Sequence, residues 1–160
     1  MPPILSIVGR SQSGKTTIIE KLIPELKKRG YRIGTIKHAH HGFDIDKSGK
    51  DSWRHRHAGA ETVVVASPGQ IAMVKDDQSD SLDALLHYFD GMDLIITEGY
   101  KAQSKPKIEV LRAARHSRLV CADDPQLVAV VTDVACDSKV PVFGLEDIPP
   151  LADLIEKKFL

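Results

Sequence analysis

The sequence predicts an α/β domain: a mainly parallel central sheet flanked by helices, with an antiparallel hairpin added. Three observations carry that expectation. Short apolar runs alternate with segments of helical periodicity along most of the chain, the pattern of strands joined by helical crossovers. A glycine-bearing loop stands between the first apolar run and the first helical segment. The 160 residues, 42% hydrophobic and 28% charged, suit one globular domain, residues 1–160, with a core of its own.

Taken in order, Ile4 to Val8 reads as a strand, and Thr17 to Lys28 as a helix with Ile18, Ile19, Leu22, Ile23 and Leu26 on one face. Pro24 should bend that helix or remove one backbone bond, and Gly30 suits its C-terminal cap. Arg32 to Lys37 is a second strand. A histidine-rich loop from His38 to Asp51 then leads into a short helix capped by Asp51 or Ser52 and ended by Gly59. Thr62 to Ala66 and Ile71 to Lys75 flank Ser67-Pro68-Gly69-Gln70, where Pro then Gly suits the centre of a type II turn, so a hairpin is expected. Ser81 to Phe89 reads as a helix, Asp93 to Thr97, Ile108 to Leu111 and Leu127 to Thr132 as strands, and Pro149 to Phe159 as a closing helix.

Lysine plus arginine and aspartate plus glutamate number 22 each, so net charge is zero and no general polyanion binder is indicated; nucleic acid is not expected as a partner. No apolar run approaches the ~20 residues of a membrane span, and the N-terminus lacks the features of a signal peptide, so neither a membrane partner nor export is expected and the chain reads as cytoplasmic. Cys121 and Cys136 form no CxxC pair, which suggests neither zinc ribbon nor disulfide framework.

Gly9-Arg10-Ser11-Gln12-Ser13-Gly14-Lys15-Thr16 fits GxxxxGK[ST] in full, and its place between a strand and a helix makes the fold P-loop NTPase-like. Small residues let backbone N–H groups curl around phosphate oxygens above a helix N-terminus. Lys15 is then expected to reach the β and γ phosphates, Thr16 to coordinate Mg²⁺, and Thr17 to contact the α phosphate. The metal's water shell needs an acid at the C-terminal end of a nearby strand. Asp93 and Glu98 bracket one, but Asp93 falls ~16 Å away at the wrong end, so Glu98 is the candidate metal and catalytic acid. The plain alternative for Glu98 is a solvated loop carboxylate, since an Asp is commoner there.

Five of the seven histidines, His38, His40, His41, His55 and His57, fall within twenty residues. Lys37 ends the second strand and His38, His40 and His41 follow it; all four are candidates for contact with a substrate or phosphate. Their spacing matches no closed zinc pattern, and plain solvent exposure is the competing reading. Asp44, Asp46 and Asp51 are candidates for positioning water or serving the metal, and the sequence does not choose among them; Lys101 is a candidate substrate contact after Glu98-Gly99-Tyr100. No NKxD guanine reader occurs, and only Asp133, ending a strand, offers a carboxylate for guanine N1 and N2; a solvated turn aspartate is the alternative. No arginine finger is identifiable, Arg10 and Arg54 being the nearest guesses.

Together, GRSQSGKTT at Gly9–Thr17, KHAHH at Lys37–His41, GKDSWRHRHAGA at Gly49–Ala60 and ITEGYK at Ile96–Lys101 resemble, in order and spacing, the molybdopterin-guanine dinucleotide biosynthesis protein B family. The resemblance spans most of the chain. It implies a small homodimeric P-loop GTP-binding protein with weak hydrolysis, similar to the signal-recognition and septum-site nucleotidase class and acting in molybdenum cofactor maturation. It implies an adaptor and not the transferase itself, a partner of the molybdopterin guanylyltransferase that joins GMP to molybdopterin, with molybdopterin a further candidate ligand. By position, Gly9, Ser11, Ser13, Gly14, Lys15, Thr16 and Thr17 match that family's nucleotide site, and Glu98, Gly99 and Lys101 its EGxK turn. Guanine preference rests on the resemblance alone.

Two other functions fit a P-loop. A small-molecule kinase would need a lid and an acceptor base, and no arginine-rich lid is visible. A metallochaperone GTPase would use the histidine cluster to carry nickel. Assembly has its own candidate, because an exposed edge of the hairpin Thr62 to Lys75 would let it pair with its twin in a second chain.

Overall fold

The computed structural model describes residues 1–39, 42–77, 81–114 and 118–160. In chain order the elements are β1 (Ile4–Val8), α1 (Lys15–Lys28), β2 (Ile33–Lys37), α2 (Asp51–His57), β3 (Thr62–Ser67), β4 (Gln70–Lys75), a 3₁₀ helix (Asp83–Phe89), β5 (Leu94–Glu98), β6 (Lys107–Leu111), β7 (Leu127–Thr132), β8 (Val142–Phe143) and α3 (Ile148–Phe159). They fall into two compact units, Met1–His38 with Leu86–Leu160, and Ala39–Leu85.

The first unit carries a six-stranded sheet of order β2-β5-β1-β6-β7-β8, every neighbouring pair parallel. Alternate residues Leu5 and Ile7, Leu94 and Ile96, Ile108 and Val110, Ala129 and Val131 point to one face and meet Ile18, Leu22 and Leu26 of α1 with Leu151 and Ile155 of α3. Burial on that scale, at about 25 cal/mol per Å² of apolar surface, is what holds the helices to the sheet. The other face is partly polar. Thr97 donates to the Ser6 hydroxyl at 2.9 Å, and the carboxylate of Glu109 accepts from the backbone N–H groups of Val120 and Cys121 at 2.7 and 2.8 Å. Lys107 binds Asp124 at 2.7 Å. These contacts tie the segment before β7 across the sheet, over Val8, Leu127 and Val130.

Helix α1 begins at Lys15, two residues before the expected start at Thr17, because the glycine-bearing loop feeds directly into its first turn. It runs through Pro24 and ends as a Schellman motif: Gly30, at φ +97°, donates to Lys27 O, and Tyr31 N donates to Leu26 O. Beyond it Arg29 binds Glu25, Asp153 and Glu156, and the Tyr31 hydroxyl donates to Glu156 at 2.6 Å, joining α1 to α3. No described helix is long and apolar enough to cross a membrane.

In the second unit β3 and β4 pair antiparallel, Ser67 opposite Gln70, with Gly69 at φ +83° as the turn requires. Two expectations are corrected here. The N-cap of α2 is Lys50, not Asp51 or Ser52; Asp46 supplies the polar anchor by accepting from Lys47 N and the Ser52 hydroxyl. The helix expected from Ser81 to Phe89 is a 3₁₀ helix that starts at Asp83, a run this short, closed by Gly91, nucleating an α-helix poorly. The two-residue strand β8 has no signal in the sequence.

Candidate functional site

All six strands being parallel, their C-terminal ends lie along one edge of the sheet, and the loops leaving that edge form the natural site of an open α/β sheet. The loop after β1 is central, between the ends of β5 and β6. Gly9, at φ +140°, is required there, since a Cβ would stand 2.5 Å from Val110 O on β6 and 2.8 Å from the Ser13 hydroxyl. Gln12 and Gly14 also take positive φ, 60° and 91°. Ser13 N donates to Arg10 O and closes the turn. The Ser13 hydroxyl is 1% exposed and has no hydrogen-bond partner among the described residues, an unusual state for a buried polar atom and one an acceptor in the loop would relieve.

Lys15 donates to Gly9 O at 3.2 Å and Arg10 O at 2.7 Å, which sets its ammonium across the loop. Burial pulls its pKa below the ordinary lysine value; Glu98 opposes that pull and Lys37 adds to it. Thr16 and Thr17 are exposed on the first turn of α1, and Ser11 is exposed at the tip of the loop.

Glu98 ends β5, opposite Ile7 of β1 and Lys37 of β2. The Thr16 hydroxyl lies 3.0 Å from both its carboxylate oxygens, and Lys37 Nζ lies 3.8 Å from one of them. The backbone supports this placement, as His38 N donates to Glu98 O and Gly99 N to Ile7 O. Asp93, at the other end of the strand, binds Arg32 N instead. Gly99, at φ +101°, lets the chain turn beside His38, whose ring stacks on Tyr100 at 4.4 Å.

The structure therefore gathers Gly9 to Thr17, Lys37 and Glu98 at one edge. Lys101 is exposed in the next turn, on the side of Cys121, whose thiol is pushed up by burial, then by Glu109 and Asp124, and drawn back by Lys107 and Lys101. Asp46 belongs to the second unit, where it anchors α2. His40 and His41 lie outside the described residues, among which no group of three histidine, cysteine or acidic side chains is placed to hold a metal. Asp133, just beyond β7, accepts from Arg112 Nε at 3.0 Å and Ala113 N at 2.9 Å; the Ala113 bond, then Arg112, hold its carboxyl below its ordinary pKa against partial burial. Arg112 is the residue that sequence reasoning passed over. It belongs to no motif, and it reaches the loop only because β6 lies beside β1.

A family model described as molybdopterin guanine dinucleotide synthesis protein B matches residues 4–133. Among curated proteins, the chain is 40% identical over 157 residues to a molybdopterin-guanine dinucleotide biosynthesis adapter protein of Haemophilus influenzae, covering 96% of this chain and 88% of the relative. It is 38% identical over 161 residues to the protein of that name from Escherichia coli, covering 97% and 92%. Of solved structures, a molybdopterin-guanine biosynthesis protein B superposes with a TM-score of 0.77 at 32% identity, covering 96% of this chain and 97% of that one. Bacillus subtilis MobB superposes with a TM-score of 0.77 at 25% identity, covering 99% and 98%.

Proposed function

This chain belongs to the molybdopterin guanine dinucleotide synthesis protein B family, and from that premise we propose that it is a Mg²⁺·GTP-binding adaptor, assisting a guanylyltransferase that attaches GMP to molybdopterin. The observation that carries the nucleotide part is the meeting of Lys15, Thr16 and Glu98 at the mouth of the loop. Three ligand-binding functions converge there: loop N–H groups for phosphate oxygens, an ammonium for their charge, and a hydroxyl beside a carboxylate.

The Thr16 hydroxyl and the Glu98 carboxylate are hard oxygen donors, few in number, which fits Mg²⁺ held by one or two protein groups and the phosphates. When bound, the ion would neutralise charge on the β and γ phosphate oxygens. Thr16 would then turn its hydroxyl oxygen toward the ion, and Glu98 would hold the ion's water shell. Lys15 would leave Gly9 O and Arg10 O for phosphate oxygens, and Ser13 would gain the acceptor that its buried hydroxyl lacks. Hydrolysis by the isolated chain is expected to be slow, the adaptor role coming first.

The homodimer is assigned to the hairpin. Val64 opposes Met73, and with Ile71 they share one exposed face, whereas Val63 and Val74 on the other face are partly covered. A two-stranded ribbon is marginally stable alone, and pairing with a second copy would cover it.

The adaptor reading is tested by assaying a molybdopterin guanylyltransferase with and without this chain. The wild type should raise formation of the dinucleotide cofactor, and Lys15→Ala should not. Equal stimulation by both would refute a role for the loop, and no stimulation by either would refute the adaptor reading.

A further inference from the structure

The loop has a second cation beside it. Arg112 follows β6 directly and its guanidinium leans back over the phosphate loop, with Nη1 3.6 Å from the position a Cβ on Gly14 would occupy. Gly14 is the residue from which α1 springs, at φ +91°, so its N–H belongs to the cradle that faces phosphate oxygens. The orientation of the arginine is fixed from behind. Asp133 takes Nε at 3.0 Å with one carboxylate oxygen, while its other oxygen takes Ala113 N at 2.9 Å. Nothing else among the described residues binds the two terminal nitrogens, whose donors suit the planar, two-pronged recognition of a phosphate.

The topology says which phosphates lie within reach. Thr16 and Glu98 mark the β5 side of β1 as the metal side, whereas Arg112 stands on the β6 side. Beyond it the ends of β7 and β8 border a surface groove of about 510 Å³, lined by Asp133, Val134, Phe143 and Leu145, within the ~300–1,000 Å³ of small-molecule sites. With strands ~4.8 Å apart, β7 lies ~10 Å from β1, so a nucleotide anchored in the loop that runs this way passes under Arg112 before reaching the groove.

We propose that Arg112 is a phosphate-binding residue of the nucleotide site and that Asp133 is a positioning residue that aims it, not the reader of the guanine base. This rests on the nucleotide reading above and assigns the site a second fixed cation besides Lys15.

The test uses fluorescence titration of the full chain with a GTP analogue, and competition by GTP, ATP and inorganic tripolyphosphate, all with Mg²⁺. Arg112→Ala should weaken GTP and tripolyphosphate alike, by about tenfold, the loss of one charge-assisted pair. Arg112→Lys should recover part of that. Asp133→Asn should weaken both probes by a smaller, equal factor, leave the GTP-to-ATP ratio unchanged, and add nothing to Arg112→Ala in the double variant. A loss of GTP but not tripolyphosphate in Asp133→Asn would overturn the assignment in favour of base reading. Unchanged binding in Arg112→Ala, with Lys15→Ala inactive, would overturn the assignment and leave the nucleotide site standing. A wild type that binds neither probe would overturn the nucleotide site and this assignment with it.

Discussion

The Thr16 hydroxyl stands 3.0 Å from each carboxylate oxygen of Glu98, across 82 residues of sequence. One residue belongs to the helix that follows β1 and the other to the end of β5, and only the parallel pairing of those strands brings them together. On the proposed nucleotide reading, Glu98 would belong to the metal's surroundings and Gly9–Lys15 would form the phosphate cradle.

Glu98→Gln should therefore reduce GTP affinity about tenfold in Mg²⁺, the lower end of what loss of an outer-shell partner costs, and leave affinity in EDTA unchanged. Titration under both conditions checks this. An equal loss in EDTA would mean that Glu98 acts by fixing Thr16 alone.

The tie on the far face of the sheet bears on stability. Lys107 is 2% exposed in its side chain and its partner Asp124 26% exposed. Asp124→Asn should cost about 2–3 kcal/mol by urea denaturation at pH 7, less than a fully buried pair because Asp124 keeps some water. The bond from Lys107, then that from Gln126 N, hold the Asp124 carboxyl below its ordinary 3.8. Its contribution is fully present above that value and is lost as pH falls through the lower folded one, so the gap between wild type and variant should be flat near neutrality and close in acid. A gap independent of pH down to pH 2 would contradict the ion-pair account.

The hairpin carries the dimer prediction. Met73→Pro, which removes an edge donor from β4, and Ile71→Asp, which charges the exposed face, should both sediment as monomers with the remaining fold intact by circular dichroism. Wild-type mass in both variants would retire the hairpin as the interface.

Much of this was legible in the sequence because the information is local. The loop Gly9–Thr16 is eight consecutive residues with a strand before and a helix after, and the place of Glu98 at the C-terminal end of β5 followed from counting strand length from Asp93. Strands β1 and β7 begin and end where their apolar runs do. What was not legible depends on strand order. Arg112 and Asp133 are 21 residues apart, and nothing in either neighbourhood says that β6 lies between β1 and β7 or that the carboxylate turns back to the arginine. Asp46 shows the same limit at short range: with Asp44 and Asp51 it reads as a candidate for positioning water or serving a metal, and its side chain anchors α2. Strand β8 was missed for another reason, since two residues carry no periodicity.

The most direct test of the central claim is calorimetric titration of GTP and of ATP, with Mg²⁺, into the wild type and Lys15→Ala. The account predicts tighter binding of GTP than of ATP by the wild type. It also predicts a loss of about a hundredfold or more in the variant, the cost of two charge-assisted bonds to phosphate. ATP binding as tight as GTP would point to a kinase-like site, and binding that survives Lys15→Ala would contradict a nucleotide site built on this loop.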